Sequence, residues 1–408
     1  MRQTLSRCLL LLVLFGGTAA AQANLYAEGM QRGGKLYAEG KYGKARKAYL
    51  TASKAAPADW RPRFFNVVCL LQLAVLEDQG QRRTGFLEQA RRQTDLLVSE
   101  TDVKDYTDPL PLYLYGLGLF YLDRYKEAID KLESSLNSQP DRLARYAVID
   151  LRSHLYRALG RTYHSRALTW LNAGKYEDAS TFLTQAERYL PKDSHAFVDL
   201  QRNMAFVDTT LTRYDSAVKR FRKCIELNPK GRARYLGMIA NIHVALSELD
   251  EAEKVLAEVP PDATDREVVA VRCFLATARA TQAGPGTERM TYALDLYKRV
   301  IPGYPKKDRY RLIKEYGYLV VNEAIDAGDV TEADRKLLLG LEKMLKVEVE
   351  ERPECAFLYF TLARAYALLG RGEEQHRYEQ LGARKKAEFN TLNPKERFDA
   401  EGRARCGN

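Results

Sequence analysis

The sequence predicts an all-α fold built of stacked antiparallel helix pairs, and two observations predict it. A Tyr-x-x-Ala pattern recurs four times, starting at Tyr42, Tyr125, Tyr176 and Tyr214. Each copy is followed by an apolar or aromatic residue four positions after the Ala and by a Pro twelve positions after it. Apolar residues between the copies recur at spacings of three and four, which is the period of an amphipathic helix. A unit that repeats in this way cannot bury its apolar face alone, so neighbouring units are expected to stack.

The repeated residues have physical reasons to be where they are. Gly40 and Gly174 precede two of the copies and would end the first helix of a pair in a conformation that Gly adopts without strain. Small residues such as Gly33 and Ala45 fit where two helices cross closely, since a larger side chain would overpack the contact. A unit of about 34 residues with this pattern resembles the tetratricopeptide repeat, or TPR. The resemblance implies a right-handed α-solenoid, a TPR-like superhelix, that is a scaffold for protein interactions and not an enzyme.

The resemblance covers residues 24–390 as about eight or nine helix pairs. The first pair, 26–59, carries the whole pattern, whereas the pair at 60–105 shows two helical runs without the signature. The first helix of the pair at 109–142 is apolar all round, as expected for a helix covered on more than one side. The remaining pairs are predicted at 160–193, 198–231, 233–266, 267–307, 311–353 and 356–390.

One interval breaks the period of the repeat. The signature at Tyr176 arrives well beyond the interval of about 34 residues that should separate it from the one at Tyr125. The stretch 141–160 either lengthens the first helix of the next pair, with Gly160 as a place where it could divide, or forms a separate short helix. The sequence leaves both alternatives open.

The segment 1–23 has the features of a secretory signal peptide. Arg2 and Arg7 give a basic start, an apolar run follows at 8–15, and Ala21-Gln22-Ala23 is a small-residue cleavage signal. The apolar run is shorter than the ~20 residues that a membrane-spanning helix needs. We therefore expect cleavage after Ala23 and a periplasmic or secreted protein, with an uncleaved anchor as the alternative. The absence of Asn-x-Ser/Thr favours a bacterial periplasm, and the segment 391–408 is predicted to be a polar, disordered tail.

Residue types that carry chemistry are scattered along the chain. The five cysteines beyond Ala23 are widely spaced without Cys-x-x-Cys, which indicates neither a disulfide framework nor a zinc site. Cys224 stands where the repeat normally has Ala, so we expect a buried free thiol there. The histidines have no metal-ligand spacing, and no Gly-rich phosphate loop or nucleophile motif occurs. The sequence predicts no catalytic residue, no metal and no cofactor.

The resemblance also implies a candidate peptide-binding groove. In the family, the first helix of each pair lines a concave surface, and aromatic and Arg residues on such a surface suit a peptide or helix. The alternative is that many of these side chains only pack inside a tight superhelix. The matching positions here are Tyr113, Leu117, Phe120, Tyr121, Arg161, His164, Arg202, Asn203, Phe206, Arg234, Asn241, Tyr318, Asn322, Phe360 and Arg364.

A family variant that grips a C-terminal carboxylate has Lys at the fifth position and Asn at the ninth. Asn241 and Asn322 occupy ninth positions here, but their fifth-position companions are Gly237 and Tyr318. The resemblance therefore does not extend to a carboxylate clamp.

Clustered cations give a second candidate surface on a chain whose formal net charge is +10. Because the protein is expected to be exported, such clusters favour anionic lipid, glycan or an acidic protein over nucleic acid. A merely solvated helix surface is the alternative. The residues of this basic face are Lys219, Arg220, Arg222, Lys223, Lys230, Arg232, Lys306, Lys307 and Arg309.

These observations together predict a non-catalytic scaffold or adaptor of the cell envelope that binds a peptide or protein segment in its groove. The alternative is a protein that associates with anionic lipid or polysaccharide through its basic helix faces. The sequence names neither the partner nor the oligomeric state.

Overall fold

The computed structural model describes residues 21–391 apart from 78–79, 102, 104–105 and 327–329. The side chains of Lys307, Asp326 and Thr391 are also outside the description. Most of the predicted signal peptide and the predicted polar tail from residue 392 onwards therefore lie outside the described residues. Residues 21–23, the predicted cleavage signal, begin the first helix.

All regular structure in the described ranges is helical, and it confirms the predicted all-α fold of helix pairs. Helices α1 to α6 form three pairs: 21–38 with Tyr42–Ala55, Trp60–Leu76 with Gln81–Glu100, and Pro109–Tyr121 with Tyr125–Leu136. The short helix α7 is Pro140–Ala144. Helices α8 to α13 are Leu151–Asn172 with Tyr176–Tyr189, His195–Thr210 with Tyr214–Leu227, and Arg232–Ala245 with Leu249–Ala257. Helices α14 to α19 are Arg266–Ala283 with Glu288–Val300, Lys306–Asp326 with Glu332–Glu351, and Ala356–Leu368 with Gly372–Thr391.

Contacts divide the chain into two compact units. Unit 1 runs to residue 168 and includes 181–197, and unit 2 comprises 169–180 together with the chain from 198 onwards. Each unit has its own apolar core, so each is described by itself below.

The repeat signature in unit 1 fills the contacts between neighbouring helices, both within a pair and between one pair and the next. Ala45, Tyr49 and Ala52 on α2 are buried, and the Tyr49 ring stacks on Phe65 of α3 at 5.2 Å between centroids. A Cβ on Gly33 of α1 would lie 2.6 Å from the Tyr49 ring, which is closer than atoms can pack. The close helix crossing expected from these residues is therefore present.

The irregular interval in unit 1 holds a separate short helix. α7 is followed by a 3-10 turn at Ala147–Ile149, and Asp150 has a left-handed backbone with φ of 47° before α8 begins. Of the two alternatives that the sequence left open, the separate short helix is the one present, because Asp150 interrupts the helical backbone before α8. Gly160 does not divide α8. A Cβ there would meet the Leu190 side chain at 2.6 Å, so Gly160 permits a close packing contact.

Unit 2 is built around the later occurrences of the signature. Ala217, Phe221 and Cys224 of α11 are buried against α12, and a second cluster joins α14 to α18. Cys224 is a buried free thiol, as the repeat position predicted. Cys355 is buried and disulfide-bonded, a bridge that the cysteine spacing did not indicate.

The turns inside several pairs place a residue in the left-handed region. Gly40 and Gly174 have φ of 71°, as expected for glycines that end a first helix. Asp123, Thr212 and Ser247 take the equivalent place in other pairs, with φ of 58°, 58° and 61°. Since side chains with a Cβ rarely adopt this conformation, these turns store strain that the glycine turns avoid.

Candidate functional site

An open cleft of about 490 Å³ lies in unit 2. Its walls come from α10, α12, α14 and α16, which are the first helices of four successive pairs. The residues that matter for its chemistry are Arg202, Asn203, Phe206, Arg234, Met238, Asn241, Arg266, Glu267, Ala270, Phe274, Tyr304, Asp308 and Arg311.

Close helix packing shapes the floor of this cleft. Gly237 of α12 faces α14, and a Cβ on it would lie 3.0 Å from the Val268 backbone nitrogen. The two helices therefore approach at backbone distance. Side chains four residues apart share a face of a helix, so Arg234 and Met238 both reach the cleft from α12.

Five of the predicted groove residues meet in the cleft. Arg202, Asn203 and Phe206 come from α10, and Arg234 and Asn241 come from α12. The Phe206 side chain is 53% exposed, although it is a large apolar group, and Asn241 is exposed as well. The shared cleft is consistent with a binding surface at these five positions.

The other predicted groove residues do not line this cleft. Tyr113 is buried with its ring 6.2 Å from His154, and Phe120 packs edge to face on Tyr121, all in unit 1. In unit 2, Tyr318 is exposed on α16, but it lies further along this helix than the cleft residues Asp308 and Arg311 and does not line the cleft. The remaining predicted residues outside the cleft lining are Leu117, Arg161, His164, Asn322, Phe360 and Arg364.

Several cleft residues were missed by the sequence analysis, although the chain contains a signal for one of them, Arg266. Arg202, Arg234 and Arg266 follow one another at equal intervals along the chain, close to the length of one repeat. The pair predicted at 267–307 began one residue too late to include Arg266. The missed residues are Arg266, Glu267, Ala270, Phe274, Tyr304, Asp308 and Arg311.

Ion pairs join the cleft helices at one side. The Arg234 guanidinium of α12 lies 3.1 Å from the Glu267 carboxylate of α14. Arg266 lies 2.6 Å from Asp308 of α16 and 3.4 Å from Glu267. Burial lowers the pKa of Arg266, but Asp308 and Glu267 more than offset this and raise the pKa above its ordinary value. Both acids of the cleft are thus already engaged by arginines.

The cleft keeps an excess of positive charge. Its lining contains four arginines and two acids, which leaves a formal charge of +2. The buried Nε of Arg234 has no hydrogen-bond partner among the described residues. Burial raises the pKa of Tyr304 to about 12, so this hydroxyl is neutral at physiological pH and donates to the Arg266 carbonyl at 3.3 Å.

The structure splits the predicted basic face into paired and exposed cations. Arg220 points inward, with its Nε 3.1 Å from the buried Asp208 carboxylate. Lys306 lies 2.7 Å from Glu351, and the Nε of Arg309 donates to the buried Glu348 at 2.6 Å. Lys223 and Arg232 pair with Glu226 and Glu258. Lys219, Arg222 and Lys230 are exposed, and the Lys307 side chain lies outside the described residues.

Unit 1 contains a second, wider cleft of about 900 Å³ between α4, α5 and α6. The lining of this cleft includes Tyr115 and Leu119 of α5 and Leu122 just after it. Tyr106 also lines the cleft and is exposed. The Tyr115 hydroxyl donates to Asp95, and burial together with this bond raises the pKa of Tyr115 above its ordinary value. None of the predicted groove residues lines this cleft.

Two features, a metal-binding cluster and a membrane-spanning helix, are not found among the described residues. These residues contain no group of three or more His, Cys, Asp or Glu side chains placed to hold a metal ion. None of the helices seen in the structure has both the length and the apolar character needed to cross a membrane.

Similarity to known proteins is concentrated in the repeat. Residues 211–282 match the family model described as a tetratricopeptide repeat. No curated protein matches the chain.

Solved structures of similar fold have low sequence identity to this chain. One, titled as a functional characterization of pilF from Pseudomonas aeruginosa, is 15% identical, covers 58% of this chain and 91% of its own, and has a TM-score of 0.39. The apo form of RapI is 11% identical, with coverage of 90% and 98% and a TM-score of 0.43. YrrB, described as a TPR protein with an unusual peptide-binding site, is 15% identical, with coverage of 57% and 98% and a TM-score of 0.33.

Proposed function

We propose that this chain, whose residues 211–282 match a tetratricopeptide repeat, is a non-catalytic adaptor that binds a peptide or protein segment in the cleft of unit 2. A fold of stacked helix pairs is typical of protein-interaction scaffolds, which use the open faces of successive repeats. The observation that carries the proposal is the convergence of Arg202, Phe206, Arg234 and Asn241 in one cleft. Arginines and exposed aromatic side chains are the residue types that dominate binding energy at protein interfaces.

The size of the cleft suits a few side chains of a larger partner. Its volume of about 490 Å³ lies within the ~300–1,000 Å³ that is usual for ligand pockets. It is open to solvent along four helices, so a continuous chain can enter and leave it. A peptide segment therefore fits better than an enclosed small molecule.

The proposal includes a place of action, the bacterial cell envelope. Its support is the basic start, the short apolar run and the Ala21-Gln22-Ala23 signal of segment 1–23. Full-length protein produced in a Gram-negative host should be recovered from the periplasm or medium with Asn24 as its first residue, as read by mass spectrometry of the intact chain. Recovery of the uncleaved chain in the cytosol would refute the envelope role and leave the binding proposal standing.

Peptide binding is tested with an unbiased library. Random dodecapeptides displayed on phage are selected against residues 24–408, and the selected peptides are measured by fluorescence anisotropy. Phe206→Ala should weaken their binding by about tenfold or more, because truncating a central aromatic anchor commonly costs about 2 kcal/mol or more. Tyr292→Ala is the matched control, since Tyr292 is an equally exposed aromatic on α15 outside the cleft. If the selected peptides bind Phe206→Ala as tightly as wild type, the proposal is refuted.

Association with anionic lipid or polysaccharide is the second candidate function. The observation that favours it is the exposure of Lys219 and Arg222 on α11 and of Lys230 just after it. The pairing of Arg220, Lys306 and Arg309 with acids weighs against it, because paired cations attract anionic surfaces less. Vesicles containing phosphatidylglycerol should then retain the protein only at low salt, and replacing the three exposed cations with Gln should abolish retention.

A further inference from the structure

The cleft of unit 2 carries two parallel series of side chains. Arg202, Arg234 and Arg266 stand at equal sequence intervals on three successive first helices. Four positions after each arginine, on the same helix face, come Phe206, Met238 and Ala270, and Phe274 follows one turn after Ala270. We call the first series the arginine row and the second, with Phe274, the apolar row.

The arginine row is suited to carboxylates rather than to cations. Glu267 and Asp308, the acids in the lining, are held by Arg234 and Arg266 at 3.1 Å and 2.6 Å. Asp199, which is 3.1 Å from Arg202, lies outside the lining and is itself half-exposed. A ligand cation would meet no unengaged acid in the lining, whereas a carboxylate would meet four arginines against two acids, a formal charge of +2.

The apolar row is incompletely covered in the free protein. Phe206 is more than half-exposed, and Met238, Ala270 and Phe274 are only partly buried. Covering such surface is favourable, because it removes apolar area from water. A ligand that satisfies both rows therefore needs acidic side chains on one side and apolar side chains on the other.

The spacing between the helices determines the interval at which matching side chains should recur along the ligand. Packed helices lie about 8–10 Å apart, so each row offers one residue roughly every 9 Å across the three helices. A β-strand returns to the same side after two residues, or about 6.6–6.8 Å. A polyproline II segment returns after three residues, or about 9.3 Å. The polyproline II period is the closer match.

We propose that the cleft selects an extended acidic segment in which a carboxylate and a large apolar side chain repeat every third residue. The carboxylates face Arg202, Arg234 and Arg266, and the apolar side chains cover Phe206, Met238 and Phe274. This inference rests on the proposed function, because it names the chemistry of the segment that the same cleft binds.

Three synthetic peptides test the inference directly. The first is fluorescein-labelled Asp-Leu-Pro-Asp-Phe-Pro-Asp-Leu-Pro, the second has the same composition in blocks, Asp-Asp-Asp-Pro-Pro-Pro-Leu-Phe-Leu, and the third replaces each Asp with Lys. Anisotropy titrations with residues 24–408 should show the first peptide binding at least tenfold more tightly than either of the others. Equal affinity for the block peptide would overturn the period, and equal affinity for the Lys peptide would overturn the acidic preference. Either result overturns the inference.

Arginine variants separate recognition by the cleft from general charge attraction. Arg234→Gln and Arg202→Gln should each weaken the first peptide by about five- to tenfold, because each removes a charge-assisted hydrogen bond. Arg222→Gln, which removes an exposed arginine of α11 outside the lining, should change the affinity by less than twofold. An equal loss for all three variants would mean that net charge alone attracts the peptide, against the inference. Since Arg234 bridges helices, its unfolding curve is measured alongside, and Arg202 supplies the test if that variant is unstable.

The failure of this inference is distinguishable from failure of the proposed function. If phage-selected peptides bind in a Phe206-dependent way but lack the acidic three-residue pattern, the inference fails and the function stands. If no selected peptide depends on Phe206, the proposed function fails, and this inference fails with it.

Discussion

The Tyr146 hydroxyl donates a hydrogen bond to the Asp108 carboxylate across 2.6 Å, and both side chains are almost completely buried. Tyr146 lies in the extra segment between α7 and α8, whereas Asp108 caps the start of α5 by accepting from the Leu110 nitrogen. The Tyr146 ring also meets Trp60 edge to face at 5.0 Å. The segment that breaks the repeat period is therefore fixed to two earlier helix pairs of unit 1.

Tyr146→Phe should lower the free energy of unfolding by about 1–2 kcal/mol. The ring and its contact with Trp60 remain, but the buried Asp108 carboxylate loses one of its donors, and a hydrogen bond to a carboxylate contributes more than one between neutral groups. Chemical denaturation followed by circular dichroism measures the change. Tyr292→Phe is the control, because its ring is exposed, and it should leave stability unchanged within about 0.5 kcal/mol. If Tyr146→Phe lowers the free energy of unfolding no more than the control does, the Tyr146–Asp108 hydrogen bond does not stabilise the segment between α7 and α8.

The outcome of sequence reasoning differed between the fold and the cleft for a physical reason. The signature residues Ala45, Tyr49 and Ala128 describe contacts between helices that are adjacent along the chain, and these were predicted because they depend on a helix and its immediate neighbours. The segment around Tyr146 was left open, because its partner Asp108 is far away in the sequence. Contacts of that kind leave no periodic signal in the sequence.

The sequence indicated only some of the cleft residues, and it did not show that part of the basic face is paired with acids. The reason is related. A helical pattern shows which residues share a face, so Arg202 and Phe206 were found together. It does not show which helices converge, and so Phe274 was missed and Phe360 was included. Arg220 looked like part of an exposed cluster, but the buried Asp208 draws it inward, and nothing in the local sequence shows that Asp208 is buried.

Gly237→Ala should destabilise unit 2 by about 1–3 kcal/mol. The added Cβ would meet the Val268 backbone nitrogen at 3.0 Å, and backbone cannot move aside without separating α12 from α14. Gly340→Ala is the matched control, because Gly340 is in α17 with no atom within 4 Å of an added Cβ. That variant should gain about 0.5–1 kcal/mol, since Ala is the better helix former. Denaturation curves measure both effects. If the two variants changed the free energy of unfolding in the same direction, the result would contradict the close crossing of α12 and α14.

Thr212→Gly should raise the free energy of unfolding by about 1 kcal/mol. Thr212 holds a φ of 58° in the turn between α10 and α11, a conformation that is strained for a β-branched residue. The gain is reduced because Gly also increases the freedom of the unfolded chain. Thr212→Ala keeps a Cβ and should show little of the gain, so a similar rise for Ala and Gly would exclude relief of backbone strain as the cause.

Native protein should protect three thiols from alkylation. Burial raises the pKa of Cys224 to about 11 and the pKa values of Cys69 and Cys273 to about 12. Because the thiolate is the reactive form, iodoacetamide at mildly alkaline pH should modify these cysteines only as fast as the protein unfolds. Peptide mass spectrometry should find each of them labelled in denaturant and unlabelled without it. Rapid labelling of Cys224 in native protein would contradict its place beneath α10 and α12.

Glu342→Gln should destabilise the C-terminal part of unit 2 in a pH-dependent way. Burial raises the pKa of Glu342, but hydrogen bonds from Lys346 at 2.7 Å and Tyr366 at 3.1 Å, with the Arg371 charge, more than offset it and hold the pKa below its ordinary value. A carboxyl whose pKa is depressed by folding stabilises the protein above its unfolded pKa of about 4.3, and the contribution is lost as pH falls through the folded pKa. At neutral pH the variant should lose about 2 kcal/mol, because charged hydrogen bonds to a buried group are removed.

Urea denaturation at neutral pH and at about pH 3 measures this effect, and the difference between wild type and variant should shrink in acid. Glu350→Gln is the control, because Glu350 is exposed near the end of the same helix, away from these partners, and the variant should match wild type at both pH values. A difference that stays constant over this range would mean that Glu342 acts through its shape and not through its charge.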